Sequence, residues 1–271
     1  MKSNSEKYFE KLSSRILMLI DFYKEEVIKK ILNSHRFIKE DEKYFYTIIL
    51  KTIDSLNGAN IFIRNFDNVR SFQVPLFIII RAILNDIIIS EYIIVNSSND
   101  EEQIKLINSI NFEHIKYIKS SIKIESKIRK WSEQEKQEKI LEIIRANPKY
   151  YEKNGNEKFK KIITNVGSLV DSVLENSIND KPYQLIGVAY ILYNTFSKLE
   201  HFGELSFDLV HMPYKDNKQS SQINHLFSSI QVIIAALNNY CKAWKNLEID
   251  FEKLKSLEIE ILKMTPDFTK P

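Results

Sequence analysis

Glycine and proline are scarce in this chain of 271 residues, which contains 5 glycines and 6 prolines. An α/β enzyme of this length needs many tight turns between its strands and helices, so the scarcity favours long helices joined by few loops. The sequence also lacks a G-x-G-x-x-G motif, a P-loop and a G-x-S-x-G motif. These absences exclude the common dinucleotide-binding, P-loop and serine-hydrolase patterns.

The chain also has little cysteine and no strong excess of either charge. Cys241 is the single cysteine, so no internal disulfide can form, which is typical of the reducing cytoplasm. The net charge is +3, from 39 basic and 36 acidic residues, and this balance does not indicate a nucleic-acid-binding protein by itself. We expect a cytoplasmic protein in which Cys241 is a buried structural thiol.

A long hydrophobic run without charges is missing as well. Residues 78–95, IIIRAILNDIIISEYIIV, are about long enough to cross a membrane, but Arg81, Asp86 and Glu91 interrupt them. Each charged group near the middle of a span costs roughly 2.5–3.5 kcal/mol, whereas each Ile or Leu returns only about 0.3–0.6 kcal/mol. The aliphatic side chains cannot offset that cost. We therefore expect a buried helix of a soluble protein and no membrane partner.

The sequence does contain helical periodicity. Apolar residues recur every three or four positions along most of the chain, which predicts amphipathic helices. Capping boxes at Ser98–Glu101 and Ser132–Glu135 mark the start of two of them. The predicted helices cover about 5–33, 41–58, 71–95, 100–130, 133–147, 157–176, 182–201, 222–244 and 250–264, with irregular connections at 147–156 and 205–221.

These helices predict an all-α fold. We expect a single helical domain over residues 1–271, with an up-down helical bundle at about 40–245 as its core. The helices at 5–33 and 250–264 are expected to be peripheral. The helix that contains residues 78–95 is the most apolar and should lie innermost, against the helices at 182–201 and 222–244.

The polar residues of the innermost helix need partners. Arg81 and Asn85 lie four residues apart and share a face of the predicted helix. A charged arginine is almost never fully buried without a partner, so a carboxylate or carbonyl should lie nearby. Arg81 is then either a structural contact that fixes the register of the helix or one wall of a polar pocket.

A second polar set occurs in YILYNTFSKLEHFG, residues 190–203. Tyr193, Ser197 and His201 are spaced four apart, so a phenol, a hydroxyl and an imidazole form a column on one face of a helix. Histidine is the side chain that most readily changes charge near neutral pH. The column either caps and bridges neighbouring helices or forms a catalytic site.

The apolar helix with an embedded arginine and the later Y-x-x-x-S-x-x-x-H pattern resemble the bacterial all-α family called domain of unknown function 5677. The similarity covers about residues 40–245, with Arg81 as the family-like arginine and Tyr193, Ser197 and His201 as the matching column. The resemblance implies a helical fold with a polar cluster. It also implies a bacterial setting in phage defence or toxin regulation, and it brings no established reaction.

One residue departs from the family pattern. A glutamate four residues after the arginine is usual in this family, and the chain has Asn85 there. The corresponding ion pair is then lost, or it passes to Asp86 or to another helix.

Helical defence nucleases of the HEPN class are a neighbouring alternative. Their signature is an arginine followed by a histidine after four to six residues, and none of the five histidines follows an arginine at that distance. His201 follows Lys198 instead. A divergent metal-independent ribonuclease or nucleotide-processing enzyme is therefore the second expected function, with His201 as acid/base and Arg81 as phosphate clamp.

A metal site is weakly indicated. Three histidines and an aspartate, His201, Asp208, His211 and His225, lie close together in the sequence. Their spacing lacks the H-x-x-x-H or E-x-x-H pattern that places ligands on one helical face. We expect neither a metal nor another cofactor.

A basic column is the third pattern. Lys116, Lys119, Lys123, Lys127 and Lys130 are spaced three or four apart, and such a column can follow a phosphate backbone. No aromatic residues alternate with these lysines to stack bases, and a solvated lysine face is the structural interpretation. A nucleic-acid backbone-binding module is the third expected function, and the expected partners are an unknown protein or RNA, with a homodimer left open.

The two polar sets predict one contact. We expect Arg81 to meet the column of Tyr193, Ser197 and His201 where their helices pack, because each set lies on an otherwise apolar helix and needs partners. Arginine offers five donors, and the three residues of the column can accept. A guanidinium beside His201 would keep the imidazole neutral and able to act as a base.

Overall fold

The structure is a computed structural model, and it describes residues 4–34, 39–66, 73–159, 165–176, 183–197, 216–241 and 249–264. A π-helical segment, Tyr23–Ile28, joins the first two helices, and a short 3₁₀ turn covers Pro148–Tyr150. The α-helices are α1 (Asn4–Phe22), α2 (Lys29–Asn33), α3 (Glu40–Arg64), α4 (Gln73–Val95), α5 (Asp100–Arg129), α6 (Glu133–Ala146), α7 (Val166–Asn176), α8 (Tyr183–Ser197), α9 (Asp216–Cys241) and α10 (Phe251–Leu262). Within these ranges, the β pairing is limited to an isolated bridge between Tyr151 and Glu157. The predicted all-α fold is confirmed.

Helix α4 is the central element of the bundle. It contacts α3, α5, α7, α8 and α9. A helix that is apolar nearly all the way round must be covered on most of its surface, and α4 has that composition. Its buried aliphatic side chains are Leu76, Ile80, Ile83, Leu84, Ile87, Ile88 and Ile93. The predicted packing of this innermost helix against the helices at 182–201 and 222–244 is confirmed by its contacts with α8 and α9.

Helix α1 covers the outside of α3. It packs against α3 and α10, and the π-helical segment continues the same buried stripe into α2. The residues predicted to share that stripe are buried: Phe9, Leu12, Ile16, Ile20, Tyr23, Val27 and Ile31. One contiguous hydrophobic cluster includes side chains from α1 to α10, so the N- and C-terminal helices belong to the same core as α4.

A polar contact joins the π-helical segment, α9 and α10. The Tyr23 hydroxyl donates to Asn238 Oδ1 at 3.2 Å, and the Asn238 amide donates to Glu258. Burial raises the pKa of Glu258 and raises the pKa of Cys241 to about 12. Cys241 is thus a protonated, buried thiol, as the sequence predicts.

The sequence leaves open whether the second helix stops at Gly58, and it predicts the start of α7 wrongly. Helix α3 runs through Gly58 to Arg64, because buried Ala59 and Ile63 continue its packed face. This packing offsets the cost of about 1 kcal/mol for glycine inside a helix. Helix α7 begins at Val166 rather than 157, because residues 151–157 close a turn through the isolated bridge.

The observed starts of two helices also differ from the predicted ones. Asn99, not Ser98, is the N-cap of α5, and its side chain accepts from the Glu102 amide; the Ser132–Glu135 capping box of α6 is confirmed. Helix α9 begins at Asp216, within the predicted irregular connection. The predicted residues 198–201, 205–215 and 242–244 lie outside the described ranges.

No helix within the described ranges combines the length and the apolar character that crossing a membrane requires.

Truncation of the central helix tests its role in stability. We expect Leu84→Ala to lower the free energy of unfolding by about 2–5 kcal/mol, because the side chain is fully buried and leaves a cavity. Ile78→Ala is the matched control on the same helix, since Ile78 is 37% exposed. Urea unfolding followed by circular dichroism measures both, and an equal loss in the two variants would contradict the central position of α4.

Candidate functional site

The polar side chains of α4 do not share one partner. Four of them, and Asn96 directly after the helix, contact four different helices, so each holds α4 in register with another part of the bundle. Arg81 donates to Tyr193 on α8 at 3.1 Å. Two residues contact α3: Asp86 pairs with Lys51 at 2.6 Å, and Ser90 lies 3.5 Å from the Tyr44 hydroxyl. Glu91 accepts from Asn239 on α9, and Asn96 accepts from Ser172 on α7, both at 3.4 Å.

The contact between Arg81 and Tyr193 is the predicted one. The Arg81 Nη2 group donates to the Tyr193 hydroxyl, and its Cζ lies 4.6 Å from the centre of the Tyr193 ring. The guanidinium is therefore held both by a hydrogen bond and by the electron-rich face of the ring. The sequence predicts a carboxylate or carbonyl near Arg81, and the structure adds the phenol of Tyr193 as a partner.

Among the described residues, the rest of the predicted column does not contact Arg81. Ser197 donates to the Asn194 carbonyl oxygen at 2.8 Å, so its hydroxyl bonds its own helix. His201 lies outside the described ranges. Asp86, one of the places to which the ion pair of the arginine was expected to pass, pairs with Lys51 on α3.

A polar groove opens beside these residues. Its main chamber, about 550 Å³, lies between α3, α4, α5 and the turn at 148–150. Its side chamber, about 270 Å³, lies between α3, α4 and α8 and includes Arg81 and Tyr193. Both chambers are lined by Lys51, Asn85 and Asp86, so they adjoin at the middle of α4.

Positive charge predominates along the groove. The lining includes four cationic side chains, Lys43, Lys51, Lys149 and Arg81, against the two carboxylates Glu40 and Asp86. Glu40 pairs with Lys149 and Asp86 pairs with Lys51. Lys43 therefore has no carboxylate partner among the described residues, and Arg81 adds a further positive charge to the lining.

Two further polar side chains complete the groove. Asn85 and His114 line it, and neither side chain forms a hydrogen bond or an ion pair with a residue that the structure describes. Tyr44 forms part of the inner wall, where burial raises its pKa to about 12. A wall of neutral tyrosine beside amide, imidazole and cationic groups is suited to binding an anion without proton transfer.

The lysine column of α5 is split by the fold. Lys116 and Lys119 pair with Glu157 at 3.2 and 3.5 Å, and they lie over the rings of Phe112 and Tyr151. The three distal lysines, Lys123, Lys127 and Lys130, are exposed and form no ion pair with the described residues. Lys116 and Lys119 therefore have a structural role, whereas Lys123, Lys127 and Lys130 are solvated.

Metal-ligating side chains do not cluster in the described part of the chain. His225 is half-buried on α9 beside the ring of Phe196, and burial lowers its pKa. Asp208, His201 and His211, the other members of the weak pattern, lie outside the described ranges.

Sequence reasoning missed most residues of the groove. Lys43, Lys51, His114 and Lys149 come from three separate parts of the chain, and no local spacing connects them. The one available signal was Asp86, a carboxylate in an apolar helix that required a cation from elsewhere.

Comparisons with protein-family models, with curated proteins and with solved structures found no match to the chain.

The coupling between Arg81 and Tyr193 can be measured directly. In a double-mutant cycle of Arg81→Met and Tyr193→Phe, we expect an interaction energy of about 0.5–3 kcal/mol, because the two side chains share a partly buried hydrogen bond. Ser197→Ala is the control partner, since that hydroxyl bonds its own helix, and it should show no coupling to Arg81. An additive result for Tyr193 would contradict the contact.

The split of the lysine column predicts a weak salt dependence of RNA binding. Phosphate contacts from all five lysines would give a log–log slope of roughly −3.5 on single strands, whereas the three distal lysines alone give roughly −2. We expect weak binding with the smaller slope, lost on changing Lys123 and Lys127 to Glu. Titrations of a single-stranded RNA across salt concentrations measure it, and a slope near −3.5 would show that Lys116 and Lys119 also leave Glu157 to bind phosphate.

Proposed function

We propose that this chain is a ligand-binding helical protein whose polar groove holds a small anionic molecule of the phosphate-ester class. The observation that carries the proposal is the position of Arg81. Its guanidinium is oriented by Tyr193 and lines a chamber that adjoins the larger one at Lys51 and Asn85. A planar guanidinium with an oriented fork is the side chain best matched to phosphate oxygens.

The charges of the groove support an anion rather than a cation. Its cationic side chains exceed its carboxylates, and both carboxylates are already paired. A bound cation would have to compete with Lys51 for Asp86 and with Lys149 for Glu40. An anion can instead add its oxygens to Arg81, Lys43 and the amide of Asn85, and the Asp86–Lys51 and Glu40–Lys149 pairs stay in place.

The size and lining of the groove support a small molecule. A chamber of about 550 Å³ falls within the usual range for small-molecule sites, roughly 300–1,000 Å³. Its lining combines apolar Ile48, Ile89, Ile107 and Ile110 with the polar groups around them. An organic portion of the ligand would pack on the isoleucines while its phosphate lies towards Arg81.

Binding is supported more directly than catalysis. The ribonuclease alternative depends on His201 as acid/base, and that residue lies outside the described ranges. The cellular context of phage defence or toxin regulation, in the bacterial cytoplasm, rests on the family resemblance alone and is part of this proposal. A nucleotide-processing role would use the same groove, with Arg81 as the phosphate clamp.

Thermal shift and calorimetry test the proposal. Inorganic pyrophosphate and adenosine monophosphate should raise the midpoint of unfolding in proportion to their occupancy, and uncharged adenosine should not. A ligand at a hundred times its Kd stabilises the folded state by about 2.7 kcal/mol. The shift should be lost in Arg81→Met, and it should be reduced in Arg81→Lys, which keeps the charge and loses the fork.

The control separates the groove from general charge attraction. Lys123→Met removes an exposed cation of α5 that does not line the groove, so it should leave the thermal shift unchanged. Equal shifts from adenosine and adenosine monophosphate, or a shift that survives in Arg81→Met, would contradict an anion site at Arg81.

A further inference from the structure

The distal half of α5 carries an exposed apolar stripe. Tyr117, Ile124 and Ile128 are 74%, 64% and 76% exposed. They are spaced seven and four residues apart, so they lie along one side of the helix. Large apolar side chains scattered singly are ordinary on a protein surface, whereas an aligned set marks an interaction site.

The stripe lies opposite the packed face of α5. Ile115, Ile122 and Ser126 are buried and have the same spacing as the stripe, offset by two residues. Two residues correspond to about 200° around an α-helix. Helix α6 packs against α5 through Ile143 and Ile144, which join the small cluster of Phe112 and Ile115. The stripe is therefore not a surface that α6 covers.

The middle of the stripe is a shallow notch. Between Tyr117 and Ile124 the helix carries Ser120 and Ser121, whose hydroxyls donate to the Tyr117 carbonyl oxygen at 2.7 and 3.1 Å. Small side chains allow another helix to approach closely, and hydroxyls already bonded to their own backbone present no unpaired donor to an apolar partner. The stripe and notch together have the shape that a helical partner packs into.

One edge of the stripe is basic. Lys123 and Lys127 each precede a member of the stripe by one residue, which places them along the same side of it. Both are exposed, and neither forms an ion pair with a described residue. The other edge carries Glu125, which pairs with Arg129 at 2.8 Å and is neutralised locally. The net field beside the stripe is therefore positive.

We propose that the stripe of Tyr117, Ile124 and Ile128, with the edge of Lys123 and Lys127, is the docking surface for an amphipathic helix of a partner protein that carries acidic side chains beside its apolar face. Apolar burial provides the affinity, and the lysine edge selects the acidic partner and fixes its orientation. A second copy of the chain fits less well, because antiparallel pairing of two such stripes would place each lysine edge beside the other. This surface is separate from the polar groove and does not depend on the ligand proposed there.

A designed peptide is the probe. A helix of three heptads with Leu at the a and d positions and Glu at e and g is compared with the same helix carrying Lys at e and g, by fluorescence anisotropy against the full chain. We expect the Glu-flanked peptide to bind at least tenfold more tightly. Changing both Ile124 and Ile128 to Glu should weaken its binding at least tenfold. Changing both Lys123 and Lys127 to Glu should reverse the preference towards the Lys-flanked peptide.

A control variant tests whether peptide binding is specific to the stripe. Ile61→Glu alters an isoleucine of α3 that is 65% exposed and should leave peptide binding unchanged. Circular dichroism and the midpoint of unfolding of each variant should match those of the parent, because every substituted residue is exposed. The charge reversal is informative even if one isoleucine variant folds poorly, since it predicts a gain of binding to the Lys-flanked peptide.

Four outcomes would overturn the proposal. The first is equal binding of the two peptides. The second is a dimer in sedimentation that Ile124→Glu dissociates, which would assign the surface to a second copy of the chain. The third is binding to vesicles of anionic lipid that requires Ile124 and Ile128, which would assign it to a membrane surface. The fourth is single-stranded RNA binding that requires the same isoleucines as well as the lysines.

Discussion

The burial of α4 is the constraint on which the rest of the structure depends. An apolar helix must be surrounded, and α4 contacts five other helices. Polar groups buried in such an environment cost free energy unless they are paired. Arg81, Asp86, Ser90, Glu91 and Asn96 each have a partner on a neighbouring helix. Hydrophobic burial thus holds the bundle together, and these directional contacts select one register among the many that a smooth isoleucine surface would allow.

The polar groove arises from the same residues. Asp86 faces α3, and the lysine that pairs with it also lines the groove, so one ion pair serves both packing and the electrostatics of the site. Arg81 has the same double relation, because its contact with Tyr193 joins α4 to α8 and orients the guanidinium at the side chamber. The two interpretations of Arg81, a register contact and a pocket wall, are therefore compatible.

Helix α5 shows how one periodic pattern can have two physical meanings. Its first half packs on the bundle. Lys116 and Lys119 pair with Glu157 and lie over two aromatic rings. Its second half extends to a contact with α6 and leaves Lys123 and Lys127 beside an exposed apolar stripe. One column of lysines spaced three or four residues apart thus corresponds to a structural pair and to a solvated edge.

The sequence by itself determined the helical class, the central position of α4 and the pairing of Arg81 with the helix that carries Tyr193. These follow from local periodicity and from the need of an embedded charge for a partner. Only the tertiary structure decided that the Tyr193 hydroxyl accepts from Arg81 and that Asp86 pairs with Lys51. It also decided that α3 continues past Gly58 and that residues from four separate segments line the main chamber of the groove. Such contacts depend on which faces of different helices meet, and the spacing of residues within one helix contains no information about that.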